Sequence, residues 1–139
     1  RAVRIAPRNS VIAANNLAEL LLEQNEDIPL ALSLAYSAYS NSGADLRAPA
    51  SDTLTKALIT AGYSKLATRV ARVAANARPE EPARWLRLGI AEAAAGNTDE
   101  AVKALKKAVE TKPESEAADR ARSKLQALRK KTGGGGQGS

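Results

Sequence analysis

The sequence predicts an all-α chain assembled from stacked helical hairpins. Three observations carry that prediction. Apolar residues recur at the three- and four-residue spacing of a single helix face. The blocks repeat: Leu54 and Leu88, Gly62 and Gly96, Ala74 and Ala108, and Pro79 and Pro113 are each 34 residues apart. Phe, Met and Cys are absent and aromatics make up 3% of the 139 residues, so a core must come from alanine and aliphatic side chains.

Each unit reads as a helix, a short turn and a second helix. Expected helices are about 10–24, 28–41, 49–61, 64–77, 82–95, 98–111 and 115–130. Residues 1–9 read as the remnant of a preceding repeat, because Ala2-Val3-Arg4-Ile5-Ala6-Pro7 lines up with Ala108 to Pro113. Repeat 1 is placed at 10–47, repeat 2 at 48–81 and repeat 3 at 82–114.

The first copy is the loosest. Leu17 matches Leu54 and Leu88, Leu21 matches Leu58, and Ala31, Ala35 and Ala38 match Ala67, Ala71 and Ala74. Asn25 stands where Gly62 stands, and asparagine tolerates the left-handed conformation that a helix end often needs. One extra residue falls in its inner turn, around Glu26 to Ile28, and about two in the outer turn. Asp27 before Pro29 and Glu81 before Pro82 read as helix starts, with proline where its missing N–H costs nothing. Asn97 with Glu100 reads as a capping box.

A last helix, 115–131, starts at Ser115. It carries Ala118, Ala121, Leu125 and Leu128 on one stripe and charges elsewhere, as a C-terminal capping helix should. Residues 132–139, TGGGGQGS, read as a flexible linker or tag. Ala67, Ala74, Ala101 and Ala108 are expected where helices approach closely, since small side chains permit short interaxial distances. Tyr36 and Tyr39 are expected to pack.

Composition excludes several functions. Without Cys or His there is no thiolate zinc site, and most nucleophile–base and transition-metal arrangements are unavailable. No cofactor, metal or catalytic site is predicted. No apolar run is long enough to span a bilayer. Residues 1–45 carry three basic and five acidic residues, and the remainder is net +8. That basic half could attract acidic partners, yet nucleic-acid binding is disfavoured, because base stacking needs aromatics and that half holds only Trp85 and Tyr63.

Trp85, Leu88-Gly89, Gly96, Glu100-Ala101, Leu105, Ala108 and Pro113 resemble the pattern of the tetratricopeptide repeat, and Leu54, Leu58, Gly62, Ala67, Ala74 and Pro79 match it well. The resemblance covers about residues 10–130, and the NNLAELLL and DTL segments look like bacterial arrays of the family. It implies a right-handed α-solenoid of about three repeats. It also implies a concave groove, lined by the first helix of each pair, that receives a peptide or partner helix without catalysis. Carried onto this chain, the groove would draw on Asn15, Glu19, Leu22 and Glu23 from repeat 1. Repeat 2 would add Asp52, Lys56, Ile59 and Thr60, and repeat 3 Leu86, Ile90, Ala93 and Ala94.

Glu92 departs from the pattern, standing where Leu21 and Leu58 stand. Glu19 and Lys56 are charged where bacterial members often carry Trp. With the missing Phe, Met and Cys, these departures read as a sequence edited or designed for solubility, while the remnant at residues 1–9 reads as a cut from a longer array or a design after one. The alternative function is a structural scaffold that self-associates through exposed ends, or one with no natural ligand. A natural version would be soluble, in the bacterial cytoplasm or periplasm.

Overall fold

The computed structural model describes the backbone of residues 7–137 and the side chains of residues 7–131. Of the expected leading remnant, residues 1–6 lie outside the described residues, as do positions 138–139 of the expected linker. Among the described residues there are seven helices and no strands: α1 (Arg8–Gln24), α2 (Ile28–Asn41), α3 (Arg47–Thr60), α4 (Ser64–Ala77), α5 (Pro82–Ala94), α6 (Thr98–Thr111) and α7 (Glu116–Gln137). The expected all-α helical repeat fold is therefore observed. The chain divides into two compact units, residues 1–70 and 71–139, with the division inside α4.

Three helix starts or ends differ from expectation by two residues or more. α1 and α3 begin two residues earlier than the expected 10 and 49. In α3 this puts Pro49 within the first turn, where its missing N–H removes no helical bond. α7 runs on to Gln137.

The three inner turns share one device. After α1, the Asn25 N–H donates to the Leu22 carbonyl at 3.1 Å and the Glu26 N–H to Leu21 at 2.9 Å. After α3, Gly62 donates to Ile59 at 3.1 Å and Tyr63 to Leu58 at 2.7 Å. After α5, Gly96 donates to Ala93 at 3.1 Å and Asn97 to Glu92 at 2.9 Å. This paired bonding satisfies the last helical carbonyls and requires a left-handed residue at its centre. Asn25, Gly62 and Gly96 supply it, with φ of 54°, 94° and 83°.

The extra residue of the first copy is also explained. Tyr63 and Asn97 each finish one helix and begin the next, accepting from Ala67 at 3.0 Å and Ala101 at 2.9 Å. In the first copy these roles are split. Glu26 finishes α1, while Asp27 begins α2, its carbonyl accepting from Ala31 and its side chain from the Leu30 N–H at 3.3 Å.

In unit 1, α1 packs on α2 and α3, and α2 packs on α3. In unit 2, α5 packs on α6 and α7, and α6 on α7. The core is built from small side chains: Ala31, Ala35, Ala67, Ala71, Ala101 and Ala108 are buried, and Leu105, Thr53 and Thr55 are the largest side chains with almost no exposure. Small residues let the backbones approach closely. One alanine is misplaced by the pattern: Ala74 is half-buried and Ala75 takes the deep position. The Ala74 carbonyl instead accepts from Arg84 Nη1 at 3.0 Å. Ser115 starts α7 as expected, its Oγ accepting from the Ala118 N–H at 3.0 Å.

Candidate functional site

Unit 1 brings the polar candidates of α1 and α3 together. Asn15 and Glu19 are one turn apart on α1, as Asp52 and Lys56 are on α3. Lys56 Nζ lies 3.2 Å from Glu19 Oε1 and 3.3 Å from Asp52 Oδ2. All three side chains are about one-third exposed, so solvent screens these pairs and each contributes at most about 1 kcal/mol. Their role is to fix position. Fully buried Thr53 sets Glu19 from below, its Oγ1 within 3.0 Å of both Glu19 Oε2 and the Pro49 carbonyl. The hydroxyl has one proton, and the carboxylate is the stronger acceptor.

Asn15 differs from its neighbours. Its Oδ1 is buried and has no hydrogen-bond partner. Buried acceptors are nearly always paired, and leaving one unpaired costs about 1–3 kcal/mol. Leu22 and Glu23 lie one turn beyond Glu19, the first half-buried and the second exposed. Ile59 and Thr60 follow Lys56 in the same way.

In unit 2, α5 supplies an apolar series. Ile90 and Ala93 are half-buried and Ala94 is exposed, but Leu86 is only 3% exposed and belongs to the packed interior. Among the described residues, no group of carboxylates is arranged to hold a metal. Likewise, no described helix is long and apolar enough to cross a membrane.

Three features escape sequence reasoning. Glu92, which stands where Leu21 and Leu58 stand, is 2% exposed, and the partners that hold its charge there are not legible in the sequence. Its carboxylate is paired with Arg72 and accepts from Asn97 Nδ2 at 2.8 Å. That bond draws the Asn97 side chain away from α6, so the expected capping box with Glu100 does not form, and Glu100 lies 3.4 Å from Lys103 Nζ instead. Second, the expected packing of Tyr36 does not occur: it is 63% exposed, while Tyr39 is half-buried with the Arg47 guanidinium 5.0 Å from its ring centre. Third, Thr53 carries no signal in the sequence beyond its place beside Asp52. Trp85 does pack, with its Nε1 donating to the Pro79 carbonyl at 2.8 Å and Lys107 over its ring.

Residues 82–125 match the tetratricopeptide repeat family. Among solved structures, the chain is similar to the first tetratricopeptide repeat domain of Spaghetti (RPAP3) bound to an HSP90 peptide, SRMEEVD. The identity is 12%, with 95% of this chain and 99% of that one covered at a TM-score of 0.73. It is also similar to PcrH in complex with the chaperone-binding region of PopB, at 13% identity, 91% and 99% coverage and a TM-score of 0.74. No curated protein matches. The chain thus carries a tetratricopeptide repeat over residues 82–125, and its fold is that of tetratricopeptide-repeat proteins.

Proposed function

We propose that the chain is a non-catalytic protein-interaction module that receives a peptide or partner helix on the face formed by the first helix of each pair. The observation that carries this reading is the convergence of Glu19, Asp52 and Lys56 from the first helices α1 and α3, with Lys56 Nζ 3.2 Å from Glu19 and 3.3 Å from Asp52. The three charges, each about one-third exposed, would set orientation and association rate more than affinity. Leu22 and Ile59 are the apolar candidates of unit 1; unit 2, taken by itself, offers Ile90, Ala93 and Ala94. That both similar structures hold peptide segments of other proteins supports the same reading.

The test is a titration of peptides selected from a random library against the wild type and Lys56→Glu. Peptides that engage this face should lose affinity in the variant. If every selected peptide binds the variant as it binds the wild type, Lys56 has no part in recognition and the reading loses its main support.

A second reading, self-assembly, has its own observation. Leu17 is 43% exposed, whereas its repeat equivalents Leu54 and Leu88 are each 2% exposed. Leu20 and Leu30 are also exposed. Light scattering over a concentration series separates the readings: a strict monomer at high concentration removes assembly.

A further inference from the structure

All three tyrosines of the chain line one cavity of about 660 Å³ in unit 1. Its floor includes Leu54 and Leu58 of α3, and its walls are α2 and the start of α4. No charged side chain lines it, although 26% of the chain is charged. The rim is open to solvent: Tyr36 is 63% exposed, Tyr63 56% and Leu66 48%. α2 contains no charged residue from Ile28 to Asn41, where a surface helix ordinarily turns a charged face to water.

The internal repeat supplies the contrast. One repeat later, Tyr36, Leu58 and Tyr63 correspond to Arg72, Glu92 and Asn97. Those three polar residues bond one another, the Glu92 carboxylate accepting from both Arg72 and Asn97. The open apolar cavity is therefore not a by-product of stacking hairpins, since the equivalent positions can be closed by a polar network. Beside the Leu66 stripe, α4 exposes Lys65 and Arg69, and the helix has no acidic residue.

We propose that this cavity is a docking site, separate from the first-helix face, for a partner segment bearing aliphatic or aromatic anchors flanked by acidic residues. The uncharged lining excludes a charged anchor, because burying one without a partner is costly. The volume lies within the roughly 300–1,000 Å³ of ligand sites. Exposed tyrosines are rigid, amphipathic contact residues of the kind that dominate protein interfaces. Lys65 and Arg69 give the acidic flank its complement.

The test selects binders from a library of random peptides of about 12 residues, roughly three helical turns. They are then titrated against the wild type, Tyr36→Ser/Leu66→Ser, Lys65→Glu/Arg69→Glu and Lys56→Glu. All substituted side chains are exposed or half-buried, and melting curves check that each variant folds. The expected result is a class of peptides rich in Leu, Phe or Trp with Asp or Glu. That class weakens at least about tenfold, or 1.4 kcal/mol, in the first variant and several-fold in the second, and is unchanged in Lys56→Glu. Three results overturn the proposal. One is that no such class emerges. Another is that the class depends on Lys56 alone, which places it on the first-helix face. The third is a dimer in sedimentation that Tyr36→Ser/Leu66→Ser abolishes, which makes the occupant a second copy.

Discussion

Asn97 holds Glu92 twice: its backbone N–H donates to the Glu92 carbonyl at 2.9 Å, and its side-chain Nδ2 donates to the Glu92 carboxylate at 2.8 Å. One residue thereby closes α5, starts α6 and pairs a buried charge. Arg72 meets the other carboxylate oxygen, and its side chain is 48% exposed. The charge is held by partners that can both return to water.

That asymmetry sets the first prediction. Removing Arg72 leaves a buried carboxylate with less compensation, whereas removing Glu92 frees groups that can be hydrated. Arg72→Ala is expected to cost about 1–3 kcal/mol. Glu92→Leu, which installs the residue found at the equivalent position 58, is expected to be neutral or stabilising, since apolar replacement of a buried pair often is. Thermal unfolding followed by circular dichroism decides. A larger loss for Glu92→Leu than for Arg72→Ala would refute the account.

The inner turns give the second. An added Cβ at Gly62 or Gly96 meets nothing within 4 Å. The cost of Gly62→Ala or Gly96→Ala is therefore conformational, about 1–2 kcal/mol for holding an L-residue left-handed. Gly96→Asn should cost less than Gly96→Ala, because Asn25 already occupies the equivalent place at φ 54°. Equal midpoints for the two substitutions would show that the left-handed geometry is not the controlling factor.

What the sequence revealed and what it hid divide along a physical line. Helix spans and turns were legible because they depend on neighbours in the chain: spacing of apolar residues, Gly62, Gly96, Asn25 and the prolines. Even the extra residue of the first inner turn could be placed by register, around Glu26 to Ile28. The fate of Glu92 was not legible, because Arg72 lies 20 residues away in sequence and only packing unites them. The Asn97 capping box failed for the same reason, since a tertiary acceptor outcompeted the local one. Ala74 and Ala75 are adjacent alanines that a pattern cannot rank. Among the proposed binding residues, Glu19, Asp52 and Lys56 converge, while Leu86 is interior.

The third prediction concerns that converging cluster. Lys56→Glu places a third carboxylate beside Glu19 and Asp52. Because the cluster is partly exposed, the expected cost is no more than about 1 kcal/mol. It should shrink as salt rises toward 1 M, where screening acts over about 3 Å. Melting at low and high salt checks this: a cost that does not diminish with salt would assign the effect to packing against Thr53 instead of charge.

The fourth prediction tests how the repeats tolerate size. A Cβ at Gly89 would lie 2.6 Å from both Cγ and Cδ2 of Leu105 and 3.3 Å from the Ala101 carbonyl oxygen. Leu105 is 1% exposed and has no open side to move toward. Gly89→Ala should therefore destabilise by about 1–3 kcal/mol through overpacking, against a helix-propensity gain of about 1 kcal/mol. One repeat earlier the corresponding residues are Thr55 and Ala71, so the larger side chain lies on the other helix. The pair is expected to exchange volume. Leu105→Ala alone should cost about 2–5 kcal/mol by opening a cavity, and Gly89→Ala added to it should cost little or restore stability. In a double-mutant cycle the combined loss falls short of the sum of the single losses by at least about 1 kcal/mol. Strict additivity would mean that the two side chains do not share the space, and would remove size exchange as the reason that glycine stands at position 89.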